Sequence, residues 1–152
     1  KNTGSFTAKQ KAQKLSRQMP RFSSSFHSRY DENMTIESIS AVTLATHDMP
    51  RAVKFYQTLG FDIVHGGEDA SFTSLKVGSG YLNLITQPGD RYWSWWGRVI
   101  FYVSDVDTLY QHALASKLDL DTAPEDAIWG ERFFHLKDPD GHELSFAKPL
   151  TR

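Results

Sequence analysis

The run Ile39-Ser40-Ala41-Val42-Thr43-Leu44-Ala45-Thr46-His47-Asp48-Met49-Pro50-Arg51-Ala52-Val53-Lys54-Phe55-Tyr56-Gln57-Thr58-Leu59-Gly60 decides the fold. Its opening is rich in β-formers, with Val42 and Leu44 on one face at period two. Asp48 is placed to accept a hydrogen bond from an early helix N–H, and a proline so near a helix start costs no internal bond. Val53, Tyr56 and Leu59, with Ala52 and Phe55 beside them, then keep helical spacing. Gly60 stops the helix, because glycine tolerates the positive φ that follows a C-cap. Strand-like runs come next at 61–65, 71–77 and 81–86, and Gly66-Gly67 and Gly78-Ser79-Gly80 separate them as turns.

The same order recurs further on. Residues 99–103 read as a strand, and Ser104-Asp105 caps a helix with the apolar stripe Val106, Leu109, Tyr110, Ala113 and Leu114. Strands follow near 118–120, 132–137 and 143–147, the last two joined by the turn Asp138-Pro139-Asp140-Gly141. Two copies of one strand–helix–strand–strand–strand unit account for this pattern. The expected architecture is α+β: paired βαβββ modules, about 36–87 and about 97–150, forming curved mixed sheets around an open cup within a single domain at 34–152.

One helix covers only one face of its sheet. If Val42, Leu44, Leu82, Leu84, Val99, Phe101, Val103, Leu144 and Phe146 pack beneath the helices, alternation turns their neighbours the other way. That second set is Ala41, Thr43, Tyr81, Asn83, Ile85, Arg98, Ile100, Tyr102, Glu143, Ser145 and Ala147, joined by Phe133, His135 and Lys137. They line a concave surface of mixed polar and aromatic character, the kind of place where small ligands bind.

Composition narrows the function classes. The 152 residues suit one domain, and 39% apolar with 13% aromatic residues provides a core. No stretch approaches the roughly 20 apolar residues of a bilayer-spanning helix. With no cysteine, disulfides, thiolate metal sites, iron–sulfur clusters and a thiol nucleophile are excluded. A net charge of −1 argues against a nucleic-acid partner. The charge is unevenly spread. Residues 1–33 carry seven basic and two acidic side chains, net +5, whereas 34–152 carry ten basic and sixteen acidic, net −6. The leader is rich in serine and resembles an organelle presequence; a solvated tail, or upstream sequence joined to a start at Met34, is the other reading. The expected compartment is cytoplasmic, or an organelle matrix if residues 1–33 are a presequence.

Several motifs together carry a resemblance: Asp48, Arg51-Ala52, Phe55-Tyr56 and Leu59-Gly60-Phe61; Tyr102-Val103-Ser104-Asp105-Val106-Asp107; Trp129-Gly130-Glu131-Arg132; and Asp138-Pro139-Asp140-Gly141-His142. In this order the chain resembles the vicinal oxygen chelate superfamily of glyoxalases, ring-cleaving dioxygenases and fosfomycin- and bleomycin-resistance proteins, over about residues 36–150. The resemblance implies paired βαβββ modules and a homodimer. In members that do chemistry it also implies a divalent metal held by His, Gln or Glu on the first and fourth strand of each module. The matching positions here are Ala41, Asn83, Arg98 and Ser145. A methyl group has no lone pair and a guanidinium repels a cation, so the metal site reads as dismantled.

Three further groups stand out. His142 follows Gly141 in the turn and reads as structural or surface. His135 and Glu143 share the cup face and are the catalytic candidates of an acid–base reading, although an ion pair of Glu143 with Arg98 explains that carboxylate equally well. The segment Gln87-Pro88-Gly89-Asp90-Arg91-Tyr92-Trp93-Ser94-Trp95-Trp96-Gly97 reads either as a flat apolar wall for a ligand or as a seam between subunits. The leading expectation is a metal-independent, cofactor-free protein that sequesters a small molecule, as bleomycin-resistance proteins do. Arg98 would anchor an anionic group, and Asn83 and Ser145 would orient the ligand. Tyr81, Tyr102, Trp93, Trp96, Trp129 and His135 would contact it. A lyase or isomerase of the same superfamily using His135/Glu143 acid–base chemistry or a non-standard metal site, and an assembly or regulatory protein, are the alternatives.

Overall fold

The computed structural model describes residues 36–151, of which 38–151 belong to one compact unit. The leader expected at 1–33 lies outside the described residues. The chain runs β1 (Ala41–Thr46), α1 (Met49–Thr58), β2 (Asp62–His65), β3 (Phe72–Val77) and β4 (Gly80–Thr86). It then repeats the pattern as β5 (Arg98–Tyr102), α2 (Val106–Ala115), β6 (Asp119–Leu120), β7 (Glu125–Asp126), β8 (Glu131–Lys137) and β9 (Glu143–Pro149). Both helices begin as their sequences require: the Asp48 carboxylate accepts from Arg51 N–H and that of Asp105 from Thr108 N–H. Among the described residues no helix is long and apolar enough to cross a membrane.

The first sheet is ordered β1-β4-β3-β2 and the second β5-β9-β8-β6. In each, the first strand lies parallel to the last, with Val42 opposite Leu82 and Leu44 opposite Leu84 in one and Val99 opposite Leu144 and Phe101 opposite Phe146 in the other. A parallel pair needs a crossover, which the helix and the intervening strands supply. The expected class, α+β in two βαβββ-type modules, is the one observed. The extra element is β7, whose Glu125 and Asp126 pair with Phe133 and Arg132 of β8. Two acidic residues carry no alternation to read; they take this place because β8 has an edge to pair with and Arg132 bonds Asp126 at 2.8 Å.

Alternation places the core. Leu44, Leu75, Leu82, Leu84, Phe134, Leu136, Leu144 and Phe146 are buried beneath Ala52, Val53, Tyr56 and Ala113 of the helices, in one cluster that spans both modules. Phe61 meets Phe101 edge-on at 5.2 Å, and Phe146 stacks between the rings of Phe101 and Phe134 at 5.5 Å from each, so aromatic contacts carry the core across the join. Burying each large side chain contributes about 1.5–3 kcal/mol. One polar link crosses the core: the Tyr56 hydroxyl donates to Asp138 Oδ2 at 2.8 Å, while Asp138 Oδ1 accepts from the N–H groups of Asp140 and His142. Burial pushes both the Tyr56 phenol and the Asp138 carboxyl up.

Candidate functional site

The helix-free face of the first sheet carries neutral hydrogen bonds. Thr43, Asn83 and Ser74 sit side by side in register on β1, β4 and β3. Asn83 Oδ1 accepts from Ser74 Oγ at 2.8 Å, and Asn83 Nδ2 donates to Thr43 Oγ1 at 3.3 Å. Two rungs away, the Lys76 ammonium lies 4.4 Å from the centre of the Tyr81 ring. Ala41 presents only a methyl group beside them.

The corresponding face of the second sheet is charged. Arg98 on β5 and Glu143 on β9 are direct neighbours in register and pair at 2.6 Å through Nη2 and Oε1. Arg98 Nη1 donates to His135 Nε2 at 2.6 Å. A guanidinium only donates, so His135 Nε2 carries the lone pair and the ring proton sits on Nδ1. The second Glu143 oxygen, Oε2, accepts from the Trp95 indole N–H at 2.8 Å. Partial burial, and then the charge of Arg98, hold the His135 imidazolium below its ordinary range, leaving the ring neutral at pH 7. Ser145, buried, lies opposite His135 and Ile100 in register.

At the far end of the same face Glu131 accepts from the Tyr102 hydroxyl and, at 3.0 Å, from the Trp129 indole N–H. The bond to Glu131 pushes the Tyr102 phenol up. Trp129 stacks on Phe133 with ring centres 5.6 Å apart. Ile100, Tyr102 and Trp129 are 59%, 66% and 67% exposed, an aromatic and aliphatic wall open to solvent.

The loop between the modules is tied down from below. Trp93 donates its indole N–H to the Asp140 carbonyl at 3.0 Å and stacks on the imidazoles of His47 and His142. Trp96 donates to His142 Nδ1 at 2.9 Å, which puts the His142 proton on Nε2, and Nε2 donates to the Ala45 carbonyl at 2.7 Å. His142 is therefore structural: a buried bolt joining loop, turn and β1. Between β1 and this loop lies a cavity of about 450 Å³, walled by Val42, Thr43, Leu44, Ile85 and Trp96, with Arg91 among its lining residues.

Of the catalytic and ligand-binding candidates singled out in the sequence, all but Tyr81 and Ser145 thus fall into four groups. Arg98, His135 and Glu143 meet; Tyr102 and Trp129 meet at Glu131; Asn83 is bound to Thr43; Trp93 and Trp96 meet at His142. Ser74, Glu131 and Trp95 complete these groups and were missed as site residues. Alternation along β3 and β8 signals Ser74 and Glu131, whereas nothing local signals that Trp95 reaches Glu143.

The four positions that the resemblance matches to a metal site do not fit a divalent cation. Ala41 has no donor atom, Arg98 places a guanidinium there, Ser145 offers a neutral hydroxyl, and the Asn83 carbonyl already accepts from Ser74.

The family described as Glyoxalase/Bleomycin resistance protein/Dioxygenase superfamily matches residues 38–146. Among solved structures, TioX from Micromonospora sp. ML1 is 27% identical with a TM-score of 0.59, over 75% of this chain and 100% of that one. A glyoxalase/bleomycin resistance protein/dioxygenase family enzyme from Burkholderia phytofirmans PsJN is 21% identical with a TM-score of 0.64, over 73% and 98%. A lactoylglutathione lyase from Agrobacterium tumefaciens is 18% identical with a TM-score of 0.62, over 75% and 95%. Likenesses as low as these last two show the fold alone. Uncharacterized proteins of Mycobacterium bovis and Mycobacterium tuberculosis are 42% identical over 48 residues, 32% of this chain, and the chain spans only about a third of their length, 32% and 28%. With its two βαβββ modules and a match over most of its length, the chain belongs to the glyoxalase/bleomycin resistance protein/dioxygenase superfamily.

Proposed function

We propose that this protein binds a small, partly apolar or aromatic molecule in its cup and does so without a metal. The observation that carries the reading is the exposed wall of Ile100, Tyr102 and Trp129 on and beside the sheet face that no helix covers. Contiguous aromatic surface left exposed marks a binding site more often than chance does. Tyr102 and Trp129 are held by Glu131, so a ligand would meet rings already in position, which lowers the ordering cost of binding. Metal independence rests on the donor set: a methyl, an amide, a guanidinium and a hydroxyl make a poor cage for any divalent ion.

The acid–base alternative draws less support. A general base needs a free lone pair aimed at substrate, and the His135 lone pair already receives an N–H of Arg98. Glu143 is likewise occupied by Arg98 and Trp95. The test is a titration of tryptophan fluorescence with a panel of planar aromatic compounds, with and without a chelator. Binding predicts saturable quenching that Trp129→Phe diminishes and the chelator leaves unchanged. Quenching abolished by the chelator, or turnover lost in His135→Ala, would return the reading to an enzyme.

A further inference from the structure

We infer that the cavity between β1 and the 87–97 loop takes a flat aromatic carboxylate, whose acid group is read by Arg91 and not by Arg98. The inference rests on the small-molecule reading above for the kind of ligand alone and gives it a different place, since none of Ile100, Tyr102 and Trp129 lines this cavity. Four arginines lie among the described residues: Arg51, Arg91, Arg98 and Arg132. Arg51 pairs with Asp140, Arg98 with Glu143, and Arg132 with both Asp107 and Asp126. Arg91 has no carboxylate partner among the described residues; its Nη1 donates to the neutral Gln87 Oε1 at 2.8 Å, and its remaining donors are uncommitted. An incoming anion at Arg98 meets a guanidinium whose charge Glu143 already balances. At Arg91 it meets an unbalanced one, with a planar fork that matches a carboxylate.

The rest of the cavity fits the remainder of such a molecule. Val42, Leu44, Ile85 and Trp96 supply apolar walls, and about 450 Å³ is within the range of small-ligand sites. The Trp96 ring is positioned by its bond to His142. The edge of β1 adds polar groups. Ser40 and Thr46 give their carbonyls to Tyr81 and Gln87 on the β4 side, while the Ala45 carbonyl turns the other way to His142. Thr43 shares the parity of Ala45, so its backbone N–H and C=O face the cavity. Apolar walls, one free cation and a pair of backbone groups are the recognition elements of a flat ring bearing an acid.

The experiment follows the tryptophan indole signals of the ¹⁵N-labelled full chain during titration with 2-naphthoate and with 2-naphthamide, which share a shape and differ in charge. Trp96→Phe identifies the Trp96 signal. Naphthoate is expected to shift Trp96 and to bind Arg91→Gln about tenfold more weakly, while naphthamide binds both forms alike. Equal naphthoate affinity for the native chain and Arg91→Gln overturns the assignment. So does weakening confined to Arg98→Gln, which would move the anion to the second sheet and leave the small-molecule reading standing. If neither compound shifts any indole signal, the assignment falls together with the small-molecule reading.

Discussion

The two modules repeat one connectivity and cover one face of each sheet alike, yet their open faces have become different surfaces. On the first, Thr43, Asn83 and Ser74 form a row of neutral hydrogen bonds. On the second, the strands β5, β9 and β8 hold an arginine, a glutamate and a histidine locked together, with exposed rings beyond them. The covered faces differ far less: leucines sit at Leu82 and Leu84 in one module and at Leu136 and Leu144 in the other, all buried. Packing under a helix restricts side chains to apolar ones of the right volume. An open concave face carries no such restriction, so the chemistry of this fold is written there.

The sharpest way to break this contrast is to cut one residue from each face of β8–β5. Phe134, fully buried and packed on Phe146 and Tyr110, is expected to lose about 3–5 kcal/mol on Phe134→Ala. Tyr102→Ala on the open face is expected to change stability by less than about 0.5 kcal/mol while weakening ligand binding. Urea unfolding measures both; a comparable loss at Tyr102 would mean that the open face is packed.

The bolt between the modules comes next. His142→Ala strands the Ala45 carbonyl and the Trp96 indole N–H. A loss of about 2–3 kcal/mol is expected, with a red shift of tryptophan emission as the loop loosens. Below it stands the charged row. Arg98→Ala leaves the largely buried Glu143 without its cation, for an expected loss of about 2 kcal/mol, whereas the neutral row should lose only about 1 kcal/mol on Asn83→Ala. Replacing both Arg98 and Glu143 by apolar residues should recover most of the deficit, and a double-mutant cycle measures the coupling.

The charged row also makes the second module sensitive to pH. The folded His135 imidazolium lies below its ordinary range, so the folded state favours the neutral ring. Its contribution to stability is present above the unfolded pKa of about 6.5 and is lost as pH falls through the lower folded value. Melting temperatures at pH 7.5 and 5.5 should therefore differ less in His135→Gln than in the native chain. An unchanged difference would place the sensitivity elsewhere.

Period-two alternation made the sheets, their buried faces and the cup-facing set legible in the sequence, and the capping acids made both helix starts legible. The concave polar groups were legible as a set of residues but not as contacts. That Trp95 reaches Glu143, that Trp96 reaches His142 and that Tyr56 reaches Asp138 depends on how a loop crosses one module and a helix crosses the other. These pairs are 46 to 82 positions apart, and no local period links them. β7 escaped for a different reason: two acidic residues held by a neighbouring edge carry no pattern of their own.

The smallest effect tests the comparison at the helix ends. Each helix must be followed by a residue that turns the chain back, and the left-handed region does this. The first module uses Gly60, at φ +91° with open space where a Cβ would stand. The second uses Lys117, at φ +57°, the one non-glycine residue with positive φ among those described. A side chain in that region costs about 1 kcal/mol, and glycine there avoids it. Lys117→Gly should therefore stabilise the protein by about 0.5–1 kcal/mol, despite the greater backbone entropy that glycine loses on folding. Gly60→Ala should destabilise it by a similar amount, although nothing in the structure would touch the added methyl. Opposite signs in thermal unfolding would trace both effects to backbone conformation, the one property these two positions share; equal signs would show that Lys117 is held in place by its side chain.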